Sequence, residues 1–189
     1  MILKKTNAVL SLLTLLGVLI HVGYNVFAYL TFFYDPLLKK LTAYPFMIAV
    51  CLHAILGVVI VVTGGELQGA GYYPGLNITT VIQRVSAVLM LLLLKMHIRM
   101  FDLMSNASMQ GNWSFWWLLV FLEILFFAAV ISHISVSFSK ALITMGWLTS
   151  MELKKKIDRA AYILGTLIFL LTVYAVVKGQ IGLFLSGRG

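Results

Sequence analysis

Leu118–Ile131 reads LLVFLEILFFAAVI, a run that is apolar except for Glu123. Such an unbroken run is typical of a membrane-spanning helix, because a strand of a membrane barrel would alternate apolar and polar side chains. Val88–Leu94, with the sequence VLMLLLL, has the same character. The whole chain is 61% hydrophobic and only 11% charged, so it has too little polar surface to face water. These features predict an all-α membrane protein.

Five stretches are long enough to cross a hydrocarbon core of about 30 Å, which needs roughly 20 helical residues. The predicted spans cover residues 8–34, 44–63, 77–101, 114–139 and 159–182. We therefore expect a single membrane domain over residues 1–189, folded as a five-helix transmembrane bundle. The first span is expected to be retained, since it lacks the small-residue cleavage pattern of a signal peptide.

The connections between spans are predicted to be short. The longest is a loop of about twenty residues between spans four and five, so no soluble catalytic domain is expected. The glycine-rich stretch at 64–75 has neither the spacing of a phosphate-binding loop nor a following Lys-Ser/Thr pair. We interpret it as a turn-rich connector.

Basic residues near the ends of the spans predict the orientation. Eight lie on the side of the N-terminus and six on the other. The eight are Lys4, Lys5, Arg84, Lys140, Lys154, Lys155, Lys156 and Arg159. This bias predicts that the N-terminus of the multi-pass protein lies in the cytoplasm. The membrane is expected to be a bacterial or archaeal cell (inner) membrane. The net charge of +8 follows from the same bias and from contact with anionic lipid, so it does not indicate nucleic acid.

Each of the four histidines lies in a different predicted span: His21, His53, His97 and His133. An ionisable side chain inside a membrane is costly and is therefore a candidate functional residue. One histidine in each of four helices predicts two pairs of axial ligands to haem iron. The haems are expected to be b-type, because the chain has no Cys-x-x-Cys-His motif for covalent attachment. The alternatives are structural histidines, a proton relay, or a haem-free transporter or scaffold.

Depth within the spans restricts the pairing of these histidines. His133 lies near the cytoplasmic end of span four and His97 near the outer end of span three, so these two are not expected to share an iron. His21 and His53 lie close to mid-span, and their depth leaves their partners open.

Polar side chains follow the histidines at helical spacing. Asn7 and Gln83 each precede the histidine of their own span by fourteen residues, which returns to within about 40° of the same helix face. Lys140 lies seven residues past the histidine of span four, and Arg84 adjoins Gln83. We expect these four residues to converge at the cytoplasmic boundary and to bind haem propionates or the head of a quinone. The alternative is that they extend to lipid phosphate.

Two charged residues, Lys95 and Glu123, lie inside predicted spans. A buried carboxylate must be neutral or paired, so the favoured interpretation is a Lys95–Glu123 ion pair between neighbouring helices. The alternative makes Glu123, together with Asp102, a quinone site on the outer side.

Three segments resemble the five-helix di-haem cytochrome b subunit of succinate dehydrogenases and fumarate reductases, the complex II family. They are LHAILG at 52–57, VIQRVSA at 81–87 followed by Met96-His97, and HIS at 133–135 running to Met145-Gly146-Trp147. The most specific match is Gln-Arg-Val-Ser at 83–86. Ala87 departs from the family pattern, since family members often carry glycine there.

The resemblance implies a membrane anchor that relays electrons between an iron–sulfur subunit and a membrane quinone, expected to be menaquinone. FAD and the iron–sulfur clusters belong to partner subunits docked on the cytoplasmic side, and the chain alone does not act on succinate or fumarate. The resemblance also implies that His53 with His133 ligates the inner haem, and His21 with His97 the outer one. The alternative in the same class is a di-haem anchor of a hydrogenase or formate dehydrogenase.

Overall fold

A computed structural model describes residues 2–63 and 74–185, and for residues 74–77 it describes the backbone only. The described residues form five long helices. They are α1 (Ile2–Thr31), α2 (Pro36–Thr63), α3 (Pro74–Met109), α4 (Trp113–Met145) and α5 (Met151–Gln180). A π-helical turn, Ile181–Leu185, extends α5. All five are long and apolar enough to cross a membrane, which confirms the predicted all-α, five-helix transmembrane class.

Each helix is longer than its predicted span, although α1 ends at Thr31 rather than at residue 34. Helix α1 begins at Ile2 and α3 continues to Met109. The long loop predicted between spans four and five was wrong, because only residues 146–150 separate α4 from α5. The basic stretch placed in that loop instead forms the first turns of α5, where Lys154–Asp158 and Glu152–Lys156 ion pairs stabilise the helix. Residues 64–73 of the predicted connector lie outside the described residues. Its last two residues, 74 and 75, belong to α3, which begins at Pro74.

Local capping explains the short connections. The side chain of Asn112 accepts a hydrogen bond from the Phe115 N–H at the start of α4, and Ser150 does the same for Leu153 in α5. Gly146 ends α4 with φ 79°, a left-handed conformation that glycine adopts without steric cost. Asp35 caps α2 through the N–H groups of its first turn. Sharp turns of this kind make consecutive helices antiparallel.

Contacts at both ends show the up-and-down arrangement. Where α1 begins, Lys140 of α4 bonds to Gln83 of α3. Where α1 ends, Tyr29 bonds to Gln180 at the end of α5. We call these the near end and the far end of the bundle, respectively.

Packing divides the bundle into two antiparallel pairs. Helix α1 packs on α2, and α3 packs on α4, while α5 covers α1 and α4. Within the described residues, the backbone of α2 makes no close contact with α3 or α4, nor does that of α1 with α3. The most completely buried side chains, including Met104 and Trp116, lie toward the far end. Helix α1 also packs directly on α4 and joins the two pairs there, whereas contacts between α2 and α4 and between α1 and α3 are made by side chains.

Candidate functional site

The four histidines meet as two pairs that cross the bundle. The ring centroids of His53 in α2 and His133 in α4 are 6.3 Å apart, with an interplanar angle of 74°. Those of His21 in α1 and His97 in α3 are also 6.3 Å apart, at 80°. Each pair joins two helices whose described backbones do not touch. We call His53 with His133 the proximal layer and His21 with His97 the distal layer.

The two layers lie at different depths. Asn7 contacts the proximal layer and precedes His21 by fourteen residues of α1. Glu123 contacts the distal layer and precedes His133 by ten residues of α4. At a rise of 1.5 Å per helical residue, these offsets separate the layers by about 15 to 21 Å along the bundle. The proximal layer is the nearer of the two to the start of α1.

Hydrogen bonds fix the tautomer of both proximal rings. His53 donates from Nδ1 to Oδ1 of Asn7 at 2.9 Å. His133 donates from Nδ1 to the backbone carbonyl of Gln83 at 3.0 Å, with the hydroxyl of Ser86 beside it at 3.4 Å. Because an amide oxygen and a carbonyl can only accept, the proton of each neutral ring is on Nδ1. The lone pair on each Nε2 is therefore free for a metal.

The distal ring of His97 is held by a carboxylate. Its Nδ1 donates to Oε1 of Glu123 at 2.8 Å. The ring also stacks on Phe126, with centroids 4.4 Å apart and planes 18° apart. Glu123 is only 5% exposed, so this contact is shielded from solvent. His97 thus has the same tautomer as the proximal rings, with its orientation fixed by a charged acceptor and an aromatic face.

His21 has a different environment. Asn25 directs its amide to the carbonyl of His21 at 2.7 Å and lies 3.3 Å from both ring nitrogens. The ring packs near Phe46 of α2, with centroids 5.5 Å apart. Phe46 comes this close because Gly17 has no side chain, and a Cβ there would collide with the Phe46 side chain. The position of His21 therefore depends on the α1–α2 packing.

The predicted polar residues lie mostly at the proximal layer. Lys140 donates to Oε1 of Gln83 at 2.8 Å and lies 3.4 Å from the hydroxyl of Thr80. Arg84 is half-buried beside Gln83 in α3. Asn7 lies at the same level, where it bonds to the histidine of α2. The structure thus brings Gln83 and Lys140 into contact, and it places Asn7 in a hydrogen bond with His53.

The predicted Lys95–Glu123 ion pair was wrong. Lys95 is exposed, whereas Glu123 is buried against His97. The reason is helical geometry, since Lys95 lies two residues, or about 200°, from the inward-facing His97. Asp102 is also exposed, five residues and about 140° from His97, so the structure does not bring it to Glu123.

Sequence reasoning missed a buried polar group at the far end. Gln180 is 0% exposed and donates from Nε2 to the hydroxyl of Tyr29 at 2.9 Å. Three buried polar atoms of the described residues have no hydrogen-bond partner in this region: Gln180 Oε1, Trp116 Nε1 and Glu123 Oε2. The sequence did contain a signal for this group: Gln180 is an uncharged amide in the apolar end of the last span. A polar side chain in a membrane needs a hydrogen-bond partner, so Gln180 could have been selected as a buried polar residue.

The donor set fits an iron held by two axial imidazoles. A metal lies about 2 Å from an imidazole nitrogen, and the ring centroid lies about 1 Å farther, so opposed ligands have centroids about 6 Å apart. Both histidine pairs have that separation. In the described part of the chain, no cluster of three or more His, Cys, Asp or Glu side chains could hold a metal by itself. Two protein ligands per metal is the number that a six-coordinate haem iron takes from its protein.

Comparison with known proteins yields no match: no family model, no curated protein and no solved structure is similar to this chain.

Proposed function

We propose that this chain is the membrane anchor and electron-transfer subunit of a succinate:quinone oxidoreductase or quinol:fumarate reductase, and that it holds two haems b. The observation that carries the proposal is the pair of cross-bundle histidine contacts, each with ring centroids 6.3 Å apart. In three of these rings an acceptor fixes the proton on Nδ1, as is usual for metal-bound histidine. The resemblance of three segments to the complex II cytochrome supports the choice of enzyme class.

In this proposal His53 and His133 ligate one haem, and His21 and His97 ligate the other. Bound haem supplies one-electron redox chemistry. Two histidine ligands would leave the iron no open position, so the residues present favour electron transfer over binding of a small ligand. The apolar helices exclude water, while Lys140 and Arg84 supply positive charge near the proximal layer, suited to haem propionates.

The arrangement of charge favours docking of the flavoprotein and iron–sulfur subunits at the near end. Lys4 and Lys5 lie in the first turn of α1 at this end, and the basic residues of Lys154–Arg159 lie in the first turns of α5. The excess of basic residues near this end favours a cytoplasmic location, so we propose that the N-terminus is cytoplasmic. The proximal layer would then be the nearer of the two to the partner, and both layers would lie on the path of electrons between the partner and quinone.

The far end is the candidate location for the quinone. Buried polar atoms of Glu123, Trp116 and Gln180 have no described hydrogen-bond partner there. A quinone head carries carbonyl or hydroxyl groups that need hydrogen-bond partners in an apolar site. These atoms support a quinone site beside the distal layer. Menaquinone is the type that the resemblance to the complex II cytochrome leads us to expect.

The test is purification of the chain with its partners. We expect two haems b per chain by the pyridine haemochrome assay, both six-coordinate and low-spin, and covalent flavin in a co-purified subunit. A double variant, His21→Ala with His53→Ala, serves as control and should hold no low-spin haem. One haem or none in the wild type would contradict the proposal. A nickel or molybdenum partner would indicate a hydrogenase or formate dehydrogenase anchor instead.

A further inference from the structure

We infer that Glu123 is a positioning residue that makes the distal layer electrochemically different from the proximal one. Its carboxylate holds the His97 ring as an axial ligand and lowers the midpoint potential of the haem bound there. This inference rests on the proposed function, because it concerns the same two layers.

The evidence is an asymmetry in the acceptors of the Nδ1 protons. His53 and His133 donate to neutral oxygens, the amide of Asn7 and the carbonyl of Gln83, at 2.9 and 3.0 Å. His97 donates to a carboxylate at 2.8 Å. The three bonds use the same ring atom at nearly the same length, so the charge of the acceptor is what distinguishes them.

A carboxylate acceptor changes the ligand more than a neutral one does. It draws the Nδ1 proton away from the ring, which makes Nε2 a stronger electron donor to a bound metal. A stronger donor stabilises the oxidised, more positive iron and so lowers its reduction potential. The haem ligated by His97 should therefore have a lower potential than the same haem with a neutral acceptor.

The surroundings strengthen this asymmetry. The ammonium of Lys140 lies in the proximal layer, bonded to Gln83, and no described acid bonds to either proximal ring. Lys39 lies within electrostatic range of His21 in the distal layer, but it is exposed and rests on the rings of Tyr34 and Phe101. An exposed charge is screened by water and salt, whereas the buried Glu123 is not.

Glu123 has no competing structural role among the described contacts. The bond to His97 is the only hydrogen bond described for its side chain, and Oε2 has no partner. A buried carboxylate costs free energy unless its contacts compensate. Its one strong contact is with a proposed ligand, which is the arrangement expected of a residue kept for positioning.

The experiment is a redox titration of both haems in the purified complex, followed by optical and EPR spectroscopy. Glu123→Gln keeps an oxygen to accept the Nδ1 proton but removes the charge. We expect both haems to be retained, the distal midpoint to rise and the proximal midpoint to stay in place. Asp102→Asn is the matched control, because it removes an exposed carboxylate from the helix that carries His97. It should move neither midpoint.

A reciprocal variant tests the same principle at the other layer. Asn7→Asp places a carboxylate on Nδ1 of His53, and the proximal midpoint should fall while the distal one stays. If Glu123→Gln fails to bind haem, this variant decides the question. The inference is overturned if Glu123→Gln moves neither midpoint or moves the proximal one, or if Asn7→Asp leaves the proximal midpoint unchanged. A wild-type complex without haem overturns the proposed function as well, whereas two haems with unmoved midpoints overturn only this inference.

Discussion

Asn7 in α1 accepts a hydrogen bond from His53 in α2, with 2.9 Å between Oδ1 and Nδ1. The two residues are 46 positions apart in the chain, and Asn7 is not one of the two histidines that form the proximal layer. A residue outside the histidine pair therefore sets the tautomer of one of its members. Four helices thus contribute to the proximal layer, since Gln83 of α3 plays the same part for His133 of α4.

Asn7→Ala should weaken haem binding at the proximal layer. Loss of an acceptor from a metal-bound histidine typically lowers metal affinity by about 10- to 100-fold. Haem content and the two low-spin EPR signals should show loss from the proximal layer alone. Thr6→Ala is the control, because the exposed Thr6 hydroxyl bonds to the Ile2 carbonyl of its own helix and, among the described residues, to no histidine. Equal effects of the two variants would refute a specific role for Asn7.

Replacement of single histidines should separate the two layers. His21→Ala should remove the distal haem and leave the proximal one, because the layers lie about 15 to 21 Å apart along the bundle. His53→Ala should do the reverse. In the His21→Ala complex, succinate oxidation with an artificial acceptor should persist while quinone turnover falls by orders of magnitude. Undiminished quinone turnover in that variant would place the quinone at the near end.

Gly17→Ala should destabilise the protein. A Cβ at residue 17 would collide with Phe46, and overpacking of this kind costs about 1–3 kcal/mol. Gly23→Ala in the same helix meets nothing within 4 Å, so it should be neutral or should stabilise by up to about 1 kcal/mol. Thermal midpoints in detergent at one fixed scan rate compare the two. Similar shifts for both variants would show that close packing of α1 on α2 is not the cause.

Charge reversal at Lys155 should slow the assembly of the complex. Lys154 and Lys156 are paired with acids of α5, whereas the exposed Lys155 lies between them and is well placed to act on a partner surface. Electrostatic steering raises association rates by tenfold or more at low salt, and Lys155→Glu should lower the rate by about tenfold. The rate is measured by surface capture of the soluble subunits at two salt concentrations. Lys40→Glu, at the opposite end of the bundle, is the control, and a larger effect there would invert the proposed topology.

The candidate site was predictable only in part. The four histidines could be selected because an imidazole in an apolar span is conspicuous in any sequence. Asn7 and Gln83 could also be selected as polar site residues, but the histidine that each one contacts could not, because the Asn7–His53 and Gln83–His133 contacts join positions 46 and 50 residues apart. Glu123 was assigned the wrong partner for a similar reason: opposite charges on neighbouring helices suggest a pair, but the rotation of α3 directs Lys95 outward and His97 inward.

By itself, the sequence determined the number of helices and their place in a membrane. Both follow from the length of apolar runs, which is a local property. It did not determine where the helices end, since backbone hydrogen bonds continue through the charged turns at the start of α5. The tertiary structure decided which histidines face each other and which oxygen holds each ring. Those contacts depend on the relative rotation and depth of separate helices, and these are set by packing between residues far apart in the chain.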